Sequence, residues 1–149
     1  MIAIVQTVVD TFAGPVSVLV DEGRAIEIRL GQVFDDVPIV LVEPFHTTVK
    51  MYFEGRLKVI DFPVKLEGTE FLNKVWQEVR KIPYGSVMTY GQVAEIVGTS
   101  PRAVGLAMRL NPLPLYIPCH RVIAKTGLGG FKPGLEWKRF LLELEGVLL

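Results

Sequence analysis

The sequence predicts an α+β fold, with a small antiparallel sheet in the first half and helices in the second. Three observations carry that prediction. Short runs rich in Val and Ile, separated by turn residues, fill the first thirty positions. From about residue 70 the apolar residues fall at helical spacing, the first three stretches opened by Thr or Ser and ended by Gly, Pro or Asn. Half of the 149 residues are apolar, enough to bury a sizeable core without disulfides. The change of pattern near Gly68 divides the chain into two expected domains, 1–67 and 68–149.

In order along the chain, residues 2–9, 16–20 and 25–30 read as strands. Gly14-Pro15 and Asp21-Glu22-Gly23 are the turns between them, which makes an antiparallel meander. Residues 37–42 are a further strand candidate. Residues 47–53 carry Val49, Tyr52 and Phe53 at helical spacing, with Gly55 as the stop. Residues 57–66 look extended, but Pro63 restricts them to an edge strand or an irregular connection.

The second half opens with an amphipathic helix carrying Phe71, Leu72, Val75, Trp76 and Val79, capped by Thr69 and ended before Pro83-Tyr84-Gly85. Thr89 caps the next helix, whose apolar face is Val93, Ala94 and Val97 and whose stop is Gly98. Ser100 caps a third helix with Pro101 at its first position, ended by Asn111-Pro112. The last helix, 135–144, is expected to turn Trp137, Phe140, Leu141 and Leu144 inward.

Composition excludes several classes of function. One cysteine allows no internal disulfide. Cys119, His46 and His120 lack CxxC or HxxxH spacing, so neither a metal nor another cofactor is expected. No apolar run approaches the ~18 residues of a membrane span, and the first nine residues lack a basic segment. The expectation is a cytoplasmic protein without a membrane partner. Net charge is zero, but it is unevenly spread. Residues 1–70 hold 6 Lys/Arg and 11 Asp/Glu, whereas residues 71–149 hold 10 and 5. A basic second half can attract phosphates through counterion release.

Two features carry chemistry. The helices capped by Thr89 and Ser100 meet at a tight Gly98-Thr99 turn, the spacing of a helix-turn-helix and also of an ordinary helical hairpin. The second of them bears Arg102 and Arg109 with the small residues Ala103, Gly105 and Ala107. Gly105 costs about 1 kcal/mol against Ala inside a helix, which a close approach to another surface would explain. The other feature is Ile117-Pro118-Cys119-His120-Arg121-Val122-Ile123. A lone cysteine is commonly a buried hydrophobe. Here His120 can act as a base, and the basic neighbourhood is expected to lower the thiol pKa. In an extended segment adjacent side chains diverge, so His120 reaches the thiol through a water or a turn. Glu136, Glu143 and Glu145 are the acids available to orient it.

These residues resemble the methylated-DNA–protein-cysteine methyltransferases, also called O6-alkylguanine-DNA alkyltransferases. The Pro-Cys-His-Arg-Val core lies within 117–123. Ile82-Pro83-Tyr84-Gly85, Thr89-Tyr90-Gly91, Arg102-Ala103-Val104-Gly105, Asn111-Pro112, Gly129-Gly130-Phe131 and residues 135–146 follow the family in order and spacing. Residues 1–67 resemble its variable N-terminal domain more loosely, which implies a ribonuclease-H-like sheet and helix there.

The resemblance implies irreversible transfer of an alkyl group from O6 of guanine in DNA to Cys119, with O4-alkylthymine a further conceivable substrate. Cys119 would be nucleophile and acceptor, His120 its base through water, Glu145 the support of His120, Asn111 a buttress and Tyr90 a proton donor. The carbonyls of Cys119 and Val122 would accept from the guanine amine. Phe131 would wall the pocket, with Met108 and Pro114 on its apolar side, the Lys132 N–H toward the guanine oxygen, and Lys138 nearby.

Arg102 would fill the space of an everted base. Ala103, Gly105, Arg109, Thr89 and Ser100 would meet double-stranded DNA in the minor groove, the protein acting as a monomer. Lys132-Pro133-Gly134 departs from the smaller residues, including a serine, that many members carry, and Pro133 has no N–H to offer. Two rivals stand beside this reading: a lesion-binding alkyltransferase-like protein without chemistry, and a thiol hydrolase.

Overall fold

The computed structural model describes residues 3–148; the start of the first expected strand, at Ile2, lies outside them. The architecture is mixed α/β. Among the described residues it comprises a three-stranded antiparallel sheet, a two-stranded parallel pair and five α-helices. The chain forms two compact units, residues 1–66 and 67–149. No helix among the described residues is long and apolar enough to cross a membrane.

In the first unit β1 (Val5–Thr11), β2 (Gly14–Asp21) and β3 (Arg24–Leu30) form the meander in the order β1-β2-β3. Val16, Val18 and Val20 of β2 are buried, and Ser17 between them is tolerated because its hydroxyl donates to the Gln32 carbonyl at 2.7 Å. Residues 37–42 are not a strand: they make a single parallel bridge, between Ile39 and Gln6, and the Val42 N–H reaches the Thr7 hydroxyl at 3.5 Å. The buried Gln6 side chain takes over the role of a ladder. Its Nε2 donates to the carbonyls of Phe34 (2.7 Å) and Val37 (2.9 Å), and its Oε1 accepts the Phe34 N–H (2.9 Å).

Helix α1 (Phe45–Phe53) begins two residues before the expected start, because Phe45 joins Val49 and Tyr52 on the buried face. The Phe45 ring meets Phe62 edge-on at 4.9 Å. Residues 57–66 run irregularly, with one bridge from Val64 to Ala25.

The second unit is built from helices whose ends the sequence marks. In α2 (Glu70–Arg80) the Thr69 hydroxyl accepts the Leu72 N–H at 3.1 Å. Buried Trp76 on α2 donates its indole N–H to the Ala107 carbonyl of α4 (Pro101–Arg109) at 2.9 Å, tying the two helices together. Helix α3 (Tyr90–Val97) starts with a complete capping box. Thr89 Oγ1 accepts from Gln92 N–H (3.1 Å), and Gln92 Oε1 accepts from Thr89 N–H (2.9 Å). Gly98, at φ +86°, closes α3 in the left-handed region, and Ser100 Oγ caps α4 through the Ala103 N–H at 3.1 Å.

Strand β4 (Met88–Thr89) pairs in parallel with β5 (Val122–Ile123), which sets the first turn of α3 beside the segment that follows Cys119. The last helix, α5 (Leu135–Leu144), buries Trp137, Lys138, Leu141 and Leu142. Phe140 and Leu144, expected inward, are only half-buried. The helix is rotated toward Lys138, whose ammonium finds two carbonyl partners inside.

Candidate active site

The site begins at the turn after α4. Asn111 Nδ2 donates to the Ile117 carbonyl at 3.0 Å and its Oδ1 accepts the Leu113 N–H at 2.9 Å. One side chain thus closes the loop that delivers Cys119, and its amide also reaches the thiol. Residues Cys119–Arg121 form a 3-10 turn and not an extended segment, so the divergence expected of neighbouring side chains does not apply.

His120 is fully buried, and its Nε2 lies 2.7 Å from Glu145 Oε2. Glu145, just past the end of α5, is the acid that orients it, and Glu136 and Glu143 remain exposed. Glu145 is itself held firmly. Arg121 grips it with a two-pronged fork, Nε to Oε1 at 2.8 Å and Nη2 to Oε2 at 2.9 Å, while Arg121 Nη1 donates to the Ile82 carbonyl at 2.8 Å. The Gly85 N–H adds a bond to Glu145 Oε1 at 3.2 Å. Among the described residues, His120 Nδ1 is the one buried side-chain nitrogen or oxygen without a hydrogen-bond partner. An imidazole with one nitrogen anchored on a carboxylate and the other unengaged is arranged to accept a proton.

Electrostatics correct one expectation. The basic surroundings do not lower the Cys119 pKa; burial pushes the thiol up to about 11, outweighing the Asn111 amide and the Lys138 charge that pull it down. At neutral pH the resting sulfur carries its proton, so nucleophilic chemistry here requires a base. Burial also lowers the His120 pKa, against the opposing pull of Glu145, and keeps the imidazole neutral and able to serve as that base. Lys138 is forced down to about 8 by burial. Its Nζ donates to the carbonyls of Val122 (2.7 Å) and Gly130 (3.0 Å).

Cys119 forms part of the lining of a cavity of about 760 Å3. Tyr90, Arg102, Gly105, Met108, Arg109, Phe131 and Lys132, all singled out from the sequence, line it too, with Leu106 and Leu110. The Tyr90 hydroxyl donates to the Gly130 carbonyl at 3.4 Å. Gly129 makes that approach possible: it sits at φ +75°, and a Cβ there would lie 2.8 Å from the Tyr90 ring. A Cβ on Gly105 would meet nothing within 4 Å, so no internal contact demands glycine in α4.

Other expected residues lie elsewhere. Pro114 is buried and bridged to Ile117, and it is not part of the cavity lining. Val122 is buried, with its carbonyl occupied by Lys138. Thr89 and Ser100 commit their hydroxyls to helix caps, and Ala103 is half-exposed on α4. The sequence reading missed Arg121 as the clamp on Glu145, and missed Leu106 and Leu110. Arg121 could have been suspected, since a buried carboxylate needs a cation and Arg121 is the nearest in sequence to His120.

Taken together, these features define a protein whose one cysteine lines a cavity edged by arginines, next to a buried His–Glu–Arg cluster. Residues 70–147 match the family model described as the 6-O-methylguanine DNA methyltransferase DNA-binding domain. The methylated-DNA–protein-cysteine methyltransferase of Metallosphaera sedula is 54% identical over 99 residues, 66% of this chain and 64% of that protein. The protein of the same name from Saccharolobus solfataricus is 53% identical over 105 residues, 70% of this chain and 69% of its own length. The solved structure of Mycobacterium tuberculosis OGT in complex with DNA is similar at a TM-score of 0.81 and 34% identity, covering 94% of this chain and 91% of that one. The chain belongs to the 6-O-methylguanine DNA methyltransferase family.

Proposed function

We propose that this chain repairs alkylated DNA directly, by moving the O6-alkyl group of guanine onto Cys119 in a single irreversible turnover. The observation that supports it most is the buried relay: Arg121 fixes Glu145, Glu145 fixes the Nε2 side of His120, and His120, with Nδ1 unengaged, directly follows in sequence a cysteine whose thiol burial keeps protonated. His120 takes the thiol proton through a bridging water. The sulfur forms a bond to the alkyl carbon, the carbon–oxygen bond breaks, and its electron pair goes to the guanine oxygen. Tyr90 supplies a proton to the departing ring. A thioether offers no ready leaving group, so the protein is consumed.

The Val122 carbonyl can accept the guanine amine alongside Lys138, because a carbonyl oxygen has two lone pairs. The Cys119 carbonyl would be the second acceptor, and the Lys132 N–H would face the guanine oxygen. Asn111 is the buttress of the loop, and Phe131 and Met108 supply apolar walls. Lys138 holds the Gly130 loop against β5.

Helices α3 and α4 act as a helix-turn-helix. Arg102 fills the place of the everted base, and Ala103, Gly105 and Arg109 meet the minor groove of duplex DNA. The first unit is a ribonuclease-H-like structural domain, and the protein works as a cytoplasmic monomer. Residues 1–67 thus support, while 68–149 bind and react.

The test is a count. An excess of duplex carrying O6-methylguanine is incubated with known amounts of wild-type protein and Cys119→Ser. Repair by transfer removes one lesion per wild-type molecule and none with Cys119→Ser, which keeps its DNA affinity. Intact lesions despite binding would favour a lesion-binding protein. Continued turnover of an ester or peptide would favour a thiol hydrolase.

A further inference from the structure

The cavity over Cys119, about 760 Å3, falls in the range that accommodates drug-sized molecules. A methyl substituent adds one carbon to the base and uses little of it. Part of the wall is apolar in an unexpected place. Leu106 and Leu110, one helical turn apart in line with Arg102, are 46% and 51% exposed and border the cavity. They are not core residues, since Val104 and Ala107 take the buried positions of α4. Large apolar side chains on a helix that also presents Arg102 and Arg109 form a surface suited to hydrocarbon, not to phosphate. Met108, Phe131 and Cys119 line the same cavity as the two leucines.

We propose that Leu106 and Leu110 set which O6 substituents this chain accepts, by giving a large hydrocarbon group a wall to lie on while its first carbon meets the Cys119 sulfur. The substituent class is aryl-methyl or an unbranched chain of several carbons. The inference rests on the alkyl-acceptor reading of the site. The chemistry is unchanged: sulfur–carbon forms, carbon–oxygen breaks, the thiol proton goes to His120, and the released guanine takes up one proton. Only the residence of the substituent differs. Contact with the DNA duplex is the competing use of the same two side chains, and a free base separates the two.

The experiment measures single-turnover rates for free O6-benzylguanine and free O6-methylguanine, and for duplexes carrying either lesion, with wild type, Leu106→Ser and Leu110→Ser. The ratio of benzyl to methyl rate is expected to fall by about tenfold or more in the serine variants, with the free base and in duplex alike. Leu106→Met and Leu110→Met, which keep the apolar wall, should hold the ratio near wild type and guard against a folding artefact. An unchanged ratio, or a loss confined to duplex affinity, would overturn the proposal while leaving the transfer reading intact. Wild-type protein that accepts neither group would overturn both.

Discussion

At the scale of single residues, burial keeps one imidazole neutral and a buried ion pair holds it in place. Arg121 carries most of that holding, through its fork on Glu145. Removing it strands the Glu145 carboxylate in the interior, a loss of about 3–5 kcal/mol for a buried ion pair broken on one side. Arg121→Ala should therefore lower unfolding free energy by roughly that amount in denaturant titrations; a loss comparable to that of a surface pair would contradict the clamp.

His120 adds a pH signature. Its pKa is below the ordinary 6.5, so the unfolded chain binds a proton there more readily than the folded one. Stability is thus present above pH 6.5 and falls as the medium becomes more acidic. The neutral base likewise survives through pH 6.5, and the acid limb of the single-turnover rate should have its midpoint below that value. A midpoint at or above 6.5 would contradict a buried, neutral imidazole. This residue-level chemistry was only half legible in the sequence. Cys119 and His120 stand out by type, whereas Glu145 is one of three candidate acids that only the family resemblance separates; the sign of the thiol shift depends on burial, and the Arg121 fork joins residues 24 positions apart.

At the scale of elements, the most legible features were the local ones. Thr69, Thr89 and Ser100 cap the helices they were expected to cap, because a cap involves only residues three positions apart. Ser100→Ala should cost about 1 kcal/mol and loosen the start of α4, measurable as a lowered melting temperature. Features decided by distant contacts were misread. The 37–42 segment makes only one bridge, from Ile39 to Gln6, and its ends bond to side chains in place of a ladder, the Val37 carbonyl to Gln6 and the Val42 N–H to Thr7. Helix α5 turns Lys138 inward because two carbonyls await it.

Gly129 is the element-scale switch of the site. Gly129→Ala forces either the loop or the Tyr90 ring to move, and should slow transfer by about tenfold or more while the fold survives. Unchanged kinetics would mean that Tyr90 placement is irrelevant to the reaction.

At the scale of the whole molecule, a neutral chain conceals a partition of charge, with an acidic first half and a basic second. Arg102, Arg109, Lys125 and Lys132 are exposed in the second unit, two of them on α4. Duplex affinity should therefore weaken steeply with salt, and Arg109→Ala should reduce the log–log slope by about 1 if it meets a phosphate. An unaltered slope would remove Arg109 from the backbone contacts.

The claim beneath all of these is that the Cys119 sulfur is the final resting place of the alkyl group. Intact-protein mass spectrometry with peptide mapping, after mixing with duplex bearing O6-methylguanine, measures it directly. One methyl per chain, located on the peptide containing Cys119, is the expected result. A protein of unchanged mass, or a methyl on any other residue, would contradict it.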